Sequence, residues 1–245
     1  MLKQFAEFLQ EQTITPEERI IERDGRKYLV DAAGQGKELK EQFGRATQPI
    51  EIHTLSGIVN YVKSNVELSG KQFYINVVDE GEVRLLREMD KDGNRDVRLI
   101  SNAIVPQFSF DRFLDSEELI IQMQSKFVNT EDKGIILKVV GNIREENVRN
   151  TGDDGVSQMV TMKTGVTTVA DTQVPNPVNL APFRTFTEVE QPKSDFIFRM
   201  KDGPTAAIFE SDGGHWRNEA IKNIKNYFEA ELKQEIETGI ISIIA

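Results

Sequence analysis

The chain has 245 residues, 38% of them apolar, and a formal net charge of -10 at pH 7. This acidic balance repels phosphate backbones, and because lysine and arginine are scattered among acidic residues, direct nucleic-acid binding is disfavoured. There is no cysteine, which excludes disulfides, thiolate nucleophiles and zinc–thiolate sites. No apolar run approaches the roughly 20 residues of a membrane helix, and the start is not that of a signal peptide. We therefore expect a cytoplasmic protein of a bacterial host cell.

The first quarter of the chain alternates short elements with polar turns. Apolar spacing predicts a helix over residues 2–12. The pair Asp24-Gly25 predicts a hairpin over residues 20–30, and the glycine-bearing residues 32–49 are expected to form a mobile loop. A short strand at 51–53 then precedes a helix over 55–66, whose buried stripe would comprise four residues, Leu55, Ile58, Val59 and Val62.

The middle of the chain favours hairpins and one capped helix. Residues 72–89 are predicted to form a hairpin that turns at Glu80-Gly81, and a second turn at 92–94 leads into another strand. Asp115 or Ser116 is expected to cap a helix with an acidic first turn. Its predicted apolar face comprises Leu119, Ile120, Met123 and Phe127. The nearly continuous apolar run at 134–143 predicts a central strand.

The last 100 residues are predicted to end in a long helix and a strand. Residues 144–155 are charged and turn-like, and the proline-rich stretch 174–182 is interpreted as an extended connector. Three short strands are predicted at 183–189, 195–200 and 206–210, followed by a helix over 215–235. The apolar end, 239–245, predicts a buried strand beside the strands at 195–200 and 205–210, since an exposed edge of this composition would aggregate.

This mixed order predicts an α+β fold with a mainly antiparallel sheet, hairpins and several helices, in which a C-terminal helix is followed by a terminal strand. We expect an N-terminal region over 1–50 and a main domain over 51–245. A subdivision is possible near residues 144–182.

The stretch 209–228 holds the only tryptophan and the one candidate binding turn. Trp216 shares a helical face with Ala220, Ile224, Tyr227 or Phe228, and Leu232, so it is expected in the core. Four residues before and at the helix start are the candidate cofactor-binding set: Asp212, Gly213, Gly214 and His215. Glycines at a helix N-terminus can bind an anion, but acidic side chains at 210 and 212 oppose that, and a turn closed by Asp212 is the favoured interpretation.

Other chemistries find little support in the sequence. The two histidines, His53 and His215, are far apart, so we expect no metal site and no cofactor. Residues 90–96 place oxygen ligands alternately but lack the glycine and glutamate positions of a helix–loop–helix calcium loop. Carboxylates are abundant without a distinctive pairing, and no phosphate-loop, dinucleotide or serine-nucleophile motif is present.

Three pieces of sequence, at 182–200, 206–228 and 240–245, resemble a family of uncharacterised phage and prophage proteins represented by YfdQ. The similarity is strongest over the last 65 residues or so, is looser over 50–145, and does not extend to the first 45 residues. It implies a phage-type origin and a soluble, self-associating protein. The motifs are fold-like rather than catalytic, so no functional residue is carried over.

Two hypotheses follow. The first is a non-enzymatic, homo-oligomeric structural or binding protein of phage type, which could bind a small ligand. The second is a carboxylate-dependent hydrolase or a small-nucleotide-binding protein that uses the Gly213-Gly214 turn, as in counter-defence. The first is favoured, because packing explains the informative stretches.

Overall fold

The computed structural model describes residues 3–4, 19–31, 34–39, 46–64, 71–90, 93–141, 150–153, 158–163, 169–201 and 205–245. The chain divides into an N-terminal unit, Met1–Arg45, and a main unit, Ala46–Ala245. The sequence-based boundary lies between residues 50 and 51, whereas the contacts place it between 45 and 46.

The described residues form fifteen strands and five helices, and the fold is α+β as predicted. In chain order they are β1 (Ile20–Arg23), β2 (Arg26–Val30), β3 (Gly36–Leu39), β4 (Ile50–Ile52), α1 (Leu55–Ser64), β5 (Phe73–Val77), β6 (Glu82–Arg87), β7 (Val97–Asn102), β8 (Leu114–Asp115), α2 (Ser116–Lys126), α3 (Glu131–Gly141), β9 (Asn150–Asp153), β10 (Gln158–Lys163), β11 (Val169–Gln173), β12 (Val178–Leu180), β13 (Ser194–Lys201), β14 (Thr205–Glu210), α4 (Trp216–Glu231), α5 (Lys233–Glu237) and β15 (Ile241–Ile244). No described helix is long and apolar enough to cross a membrane.

The N-terminal unit contains an antiparallel sheet in the order β1-β2-β3. The predicted hairpin is confirmed: Asp24 and Gly25 have φ of 54° and 73°, the left-handed pair that a tight hairpin turn requires. The loop predicted at 32–49 is wrong for β3, because the backbone of residues 36–39 pairs with β2 despite its polar sequence. The predicted helix at 2–12 lies outside the described residues except for residues 3 and 4, which are helical.

A five-stranded sheet in the order β15-β5-β6-β7-β4 carries one core of the main unit. Its central strands are antiparallel, and both outer strands pair in parallel. The hairpin predicted at 72–89 is confirmed. The buried side chains come from α1, the sheet, the loop after β12, α4 and the residues after α4: Leu55, Ile58, Val59, Val62, Phe73, Ile75, Val77, Val83, Leu85, Leu99, Phe186, Ile224, Phe228, Leu232 and Ile241. The predicted stripe of α1 is thereby confirmed in full.

The terminal strand β15 forms, but beside a different partner from the one predicted. Ile241 pairs with Phe73 and Ile244 with Asn76, in parallel with β5. The predicted partners, β13 and β14, each have neighbours on both sides in the second sheet, whose order is β12-β13-β14-β8. They therefore have no edge left for β15, whereas β5 pairs with β6 on one side only and offers its other edge to β15. Gly239, with φ of 75°, ends α5 and lets the chain turn toward that edge.

The second core lies between the four-stranded sheet and helices α2 and α3. Asp115 caps α2 as predicted, since its Oδ1 accepts from the backbone N–H of Glu118 at 2.8 Å. The strand predicted at 134–143 is wrong: its first eight residues lie in α3. Ile136, Val139 and Val140 recur at helical spacing and are all buried. A complete helical face explains the apolar run as well as a strand would.

Three further predictions are corrected by the observed backbone hydrogen bonds and strand pairing. Part of the proline-rich connector is strand β12, which pairs with residues 194–196. The strand predicted at 183–189 is irregular, because the backbone N–H groups of Arg184 and Thr185 donate to the side chain of Gln191 rather than to a neighbouring strand. Residues 150–153, predicted as part of a charged turn, form β9 in a sheet of order β11-β10-β9, while residues 142–149 lie outside the described residues.

The helix predicted at 215–235 is interrupted at Leu232, whose φ of -114° and ψ of 29° separate α4 from α5. Its predicted inner face is confirmed. Trp216, Ala220, Ile224 and Phe228 are all buried. The position of Trp216 at the first turn of α4 places its ring between the helix and the end of the four-stranded sheet, where the candidate site lies.

Candidate binding cleft

A cleft of about 300 Å³ opens beside Trp216, and we call it the Trp216 cleft. It is built by the turn after β5, the segment after β7, the end of α2, the loop after β12, the end of β14 and the start of α4. The lining residues are Glu80, Val105, Pro106, Gln107, Phe108, Phe110, Lys126, Pro182, Phe183, Arg184, Glu210, Trp216 and Arg217. Six separated segments therefore contribute to one concave surface within the main unit.

Arg184 is the buried cation of the cleft, with 9% of its surface exposed. Its guanidinium lies 4.0 Å from the centre of the Trp216 ring and 5.5 Å from that of Phe196. Nη1 donates to Glu210 Oε1 at 3.0 Å and Nη2 donates to Ser194 Oγ at 2.5 Å. Burial lowers the pKa of Arg184 to about 10, against the opposing effect of Glu210 and Asp212, so the group is charged at neutral pH.

Arg217 is the exposed counterpart of Arg184. Its guanidinium carbon lies 4.8 Å from the Trp216 ring centre, and its Nε donates to Glu80 Oε1 at 3.2 Å. Half of its side chain is exposed. Gly214 makes room for this arrangement, because a Cβ there would lie 2.6 Å from Arg217 Nη1. Trp216 thus has two guanidinium groups over its ring, and each is paired with a glutamate.

Two phenylalanines that line the cleft, Phe108 and Phe110, form what we call the aromatic wall. Phe110 stacks on Phe196 at 5.5 Å between ring centres, and Phe108 meets Phe110 edge-on at 4.6 Å. Phe108 also contacts Phe127 at 4.9 Å. Such contacts contribute about 0.5–1.5 kcal/mol each beyond area burial. The wall is consequently held in place before any ligand arrives.

Lys126 provides the third cation at the far end of this wall. Its Nζ donates to the backbone carbonyl of Gln107, and also to Gln122 Oε1 at 3.2 Å. Both acceptors are neutral. Among the cations that line the cleft, and within the part of the chain that the structure describes, Lys126 alone makes no ion pair with a carboxylate. The lining therefore carries three positive and two negative charges, a surplus of one positive charge.

The predicted candidate residues at 212–215 lie beside the cleft and form its supporting turn. Asp212 accepts from the backbone N–H of Gly214 at 3.0 Å and of Trp216 at 3.2 Å. Gly213 and Gly214 have positive φ, and His215 is exposed. The amides that would bind an anion are thus occupied by the Asp212 carboxylate. That these four residues bind a cofactor stays a prediction.

The prediction that Trp216 belongs to the core is confirmed, since only 6% of it is exposed, yet its ring also lines the cleft. Sequence reasoning missed Lys126, Arg184 and the wall residues Phe108 and Phe110. The available signal was weak: the stretch FSF places Phe108 and Phe110 two residues apart, and nothing in it indicates a partner more than 70 residues later in the chain.

The other tested stretches have structural explanations within the described residues. His53 is exposed, and its Nδ1 hydrogen bonds with the carbonyl of Asn102 at 2.9 Å. Asp90 accepts from the backbone N–H of Asn94 at 2.9 Å, which uses the carboxylate to close a turn. In the described part of the chain, no group of three His, Cys, Asp or Glu residues is arranged to hold a metal ion.

No protein-family model, curated protein or solved structure matches the chain. The Trp216 cleft presents a preformed aromatic surface with one surplus positive charge.

Proposed function

We propose that the chain is a non-enzymatic binding protein that holds a ligand with an apolar body and a negative charge in the Trp216 cleft, and that it acts as a homo-oligomer of phage type. The observation that carries the proposal is the arrangement of Arg184, Trp216 and Arg217. A buried guanidinium is costly unless it is paired and stacked, and here it is both, at the edge of a solvent-open cavity.

The carboxylates of the cleft favour binding over hydrolysis. Glu80 and Glu210 each accept a hydrogen bond from an arginine. A general base has to reach the proton of a water or substrate with an available oxygen. Carboxylates held by guanidinium groups are better suited to positioning those cations than to proton transfer, which supports a binding role.

Self-association is supported by the N-terminal sheet. No residue of its three strands is buried, and four large apolar side chains are exposed by 38–48%: Ile20, Ile21, Leu29 and Leu39. Small sheets without a covered hydrophobic face are marginal in water, and exposed apolar patches mark interaction surfaces. A second copy of the chain is the cover that we propose.

Trp216 is the only tryptophan, so its fluorescence reports directly on the cleft. We expect phenylacetate, used as a probe with an apolar ring and one carboxylate, to change the emission and to raise the thermal midpoint. Phe108→Ala should weaken binding at least about fivefold, since a stacked aromatic contact contributes on the order of 1 kcal/mol.

Phe113→Ala is the matched control, because Phe113 is also half-buried and also contacts another ring, that of Phe209, but does not line the cleft. Equal weakening by both variants, or no response of Trp216 to phenylacetate, would contradict the proposal. A response to AMP with Mg²⁺ but not to phenylacetate would instead support the small-nucleotide alternative.

A further inference from the structure

We infer that the natural ligand of the Trp216 cleft is an extended peptide segment that carries a carboxylate next to an apolar side chain, and that its backbone pairs with residues 104–109. This inference rests on the proposed binding function and names the ligand class. Three independent features of the cleft support it: backbone donors without a partner among the described residues, a cation without a described carboxylate partner, and the size of the apolar space.

The first feature is the segment that follows β7, residues 104–109, which we call the rim segment. It contains no turn or bend, so the chain runs straight along the cleft. The backbone N–H of Ala103 still donates to the carbonyl of Gly81 at 2.8 Å. Beyond it, the N–H groups of the rim segment donate to no described residue until Asp111 donates to Ile208.

Backbone N–H groups nearly always have a partner in proteins, and an unpaired straight segment is a template for an added strand. In an extended chain, the N–H and C=O of one residue point to the same edge. The Gln107 carbonyl accepts from Lys126, which lines the cleft. The N–H groups of Val105, Gln107 and Ser109 are therefore expected on the edge that faces the cleft.

Proline at position 106 agrees with this geometry. It has no N–H to offer, and alternation places it on the opposite edge from Val105 and Gln107. It also prevents the opposite edge from templating a second strand. Ile104 is 71% exposed and lies at the start of the rim segment, where an added strand would cover it.

The second feature is charge. Arg184 and Arg217 are paired with Glu210 and Glu80, whereas among the residues that the structure describes Lys126 donates only to neutral oxygens. Replacing one neutral acceptor by a carboxylate makes a charge-assisted hydrogen bond, about twice as strong as a neutral one. The cleft therefore complements one negative charge next to the rim segment.

The third feature is size. At about 300 Å³, the cleft is at the small end of ligand pockets. It accommodates one large apolar side chain against Phe108 and Phe110, with the rest of the ligand outside. A free carboxylic acid could fill this space, but it could not supply acceptors to several N–H groups along the rim segment. A peptide does both, by strand addition.

The test combines hydrogen exchange with fluorescence on the full-length protein. The probes are two pentapeptides, acetyl-Thr-Val-Glu-Phe-Val-amide and acetyl-Thr-Val-Thr-Val-Phe with a free C-terminal carboxylate, which separate a side-chain carboxylate from a chain end. Their matched neutral forms have Gln for Glu and a C-terminal amide. We expect at least one charged peptide to slow exchange of the amides of residues 104–109 several-fold and to bind about tenfold tighter than its neutral form.

Lys126→Gln should remove that preference for the charged peptide, Lys126→Arg should largely restore it, and Lys193→Gln on an exposed surface should leave it unchanged. Unchanged exchange of residues 104–109 in the wild-type protein at saturating peptide would overturn the inference, and so would equal binding of charged and neutral peptides.

Binding of phenylacetate without any peptide effect would defeat the peptide inference while the proposed binding function stands. Failure of every probe would defeat both. Protection of residues 104–109 that appears without peptide and grows with protein concentration would identify a second copy as the occupant, against the inference.

Discussion

The hairpins β1–β2 and β5–β6 are similar in size and both antiparallel, but they differ in what covers them. Every residue of β1 is exposed and none of β2 is buried, whereas β5 alternates buried and half-buried positions and Val83 and Leu85 of β6 are fully buried. Both hairpins form antiparallel pairs. A buried face arises only where helices, here α1 and α4, pack against the sheet.

The pairing register explains why one hairpin can be covered by helices and the other cannot. Ile20 pairs with Leu29 on one face of the N-terminal sheet, and Ile21 pairs with Tyr28 on the other. Apolar residues thus occupy both faces. In β5 they are concentrated on one face, with Phe73, Ile75 and Val77 two residues apart. A helix can cover only one face, so only the second pattern yields a complete core from a single helical layer.

The largest expected effect comes from uncovering the edge of the five-stranded sheet. Deleting Ile241–Ala245 removes the β15–β5 ladder and the buried Ile241, and leaves the Phe73 N–H without the Ile240 carbonyl in its present position. We expect an unfolded or insoluble product, checked by circular dichroism and size-exclusion chromatography. A chain that starts at Ala46 is the contrasting deletion, and its main unit should keep its unfolding transition. A soluble product with the full-length spectrum after the first deletion would contradict the role of β15.

A matched pair of isoleucines tests the comparison directly. Ile75 is fully buried and Ile20 is 48% exposed. Ile75→Ala should lower the free energy of unfolding by about 2–5 kcal/mol, whereas Ile20→Ala should change it by less than about 0.5 kcal/mol in a monomer. Urea unfolding measures both. If native mass spectrometry shows an oligomer, Ile20→Ala is expected to shift it toward monomer, and an unshifted oligomer would refute the proposed role of this sheet in self-association.

The smallest expected effect concerns the pH dependence of the free energy of unfolding. Tyr227 packs against the core of the five-stranded sheet. Burial, with the nearby Glu188 and Glu231, raises the pKa of its phenol. The folded state therefore keeps the phenol proton at a pH where the unfolded chain loses it, above about pH 10. Stability from this group is fully present below that pH and is lost as pH rises through the folded pKa. Tyr227→Phe should flatten the fall of unfolding free energy between pH 9 and 11.5, and an identical slope in both proteins would exclude this linkage.

Helices α4 and α1 show which features could be predicted from the sequence and which depended on the tertiary structure. The inner face of α4 was predictable because four apolar side chains recur at helical spacing within one segment. The start of α1 at Leu55 was also predicted, but its capping partner was not: the backbone N–H groups of Leu55 and Ser56 donate to the Glu188 carboxylate, at 2.7 and 2.9 Å. A capping residue 130 positions away has no local sequence signal.

The sequence by itself determined the features that are encoded within a few residues. These are the Asp24-Gly25 and Glu80-Gly81 hairpins, the Asp115 cap and the buried stripes of α1 and α4. Turn conformation, capping and helical periodicity are local properties, so composition and spacing suffice to predict them. The α+β class follows from their order along the chain.

Only the tertiary structure decided the rest. The apolar run in α3 satisfies a strand or a helix equally until its neighbours are in place. The partner of β15 depended on which strand had a free edge, and β5 is some 170 residues away. The Trp216 cleft brings together Lys126, Arg184 and Trp216 from three segments. Contacts between distant segments are set by the burial of whole faces and the pairing of edges, which no short stretch of sequence encodes.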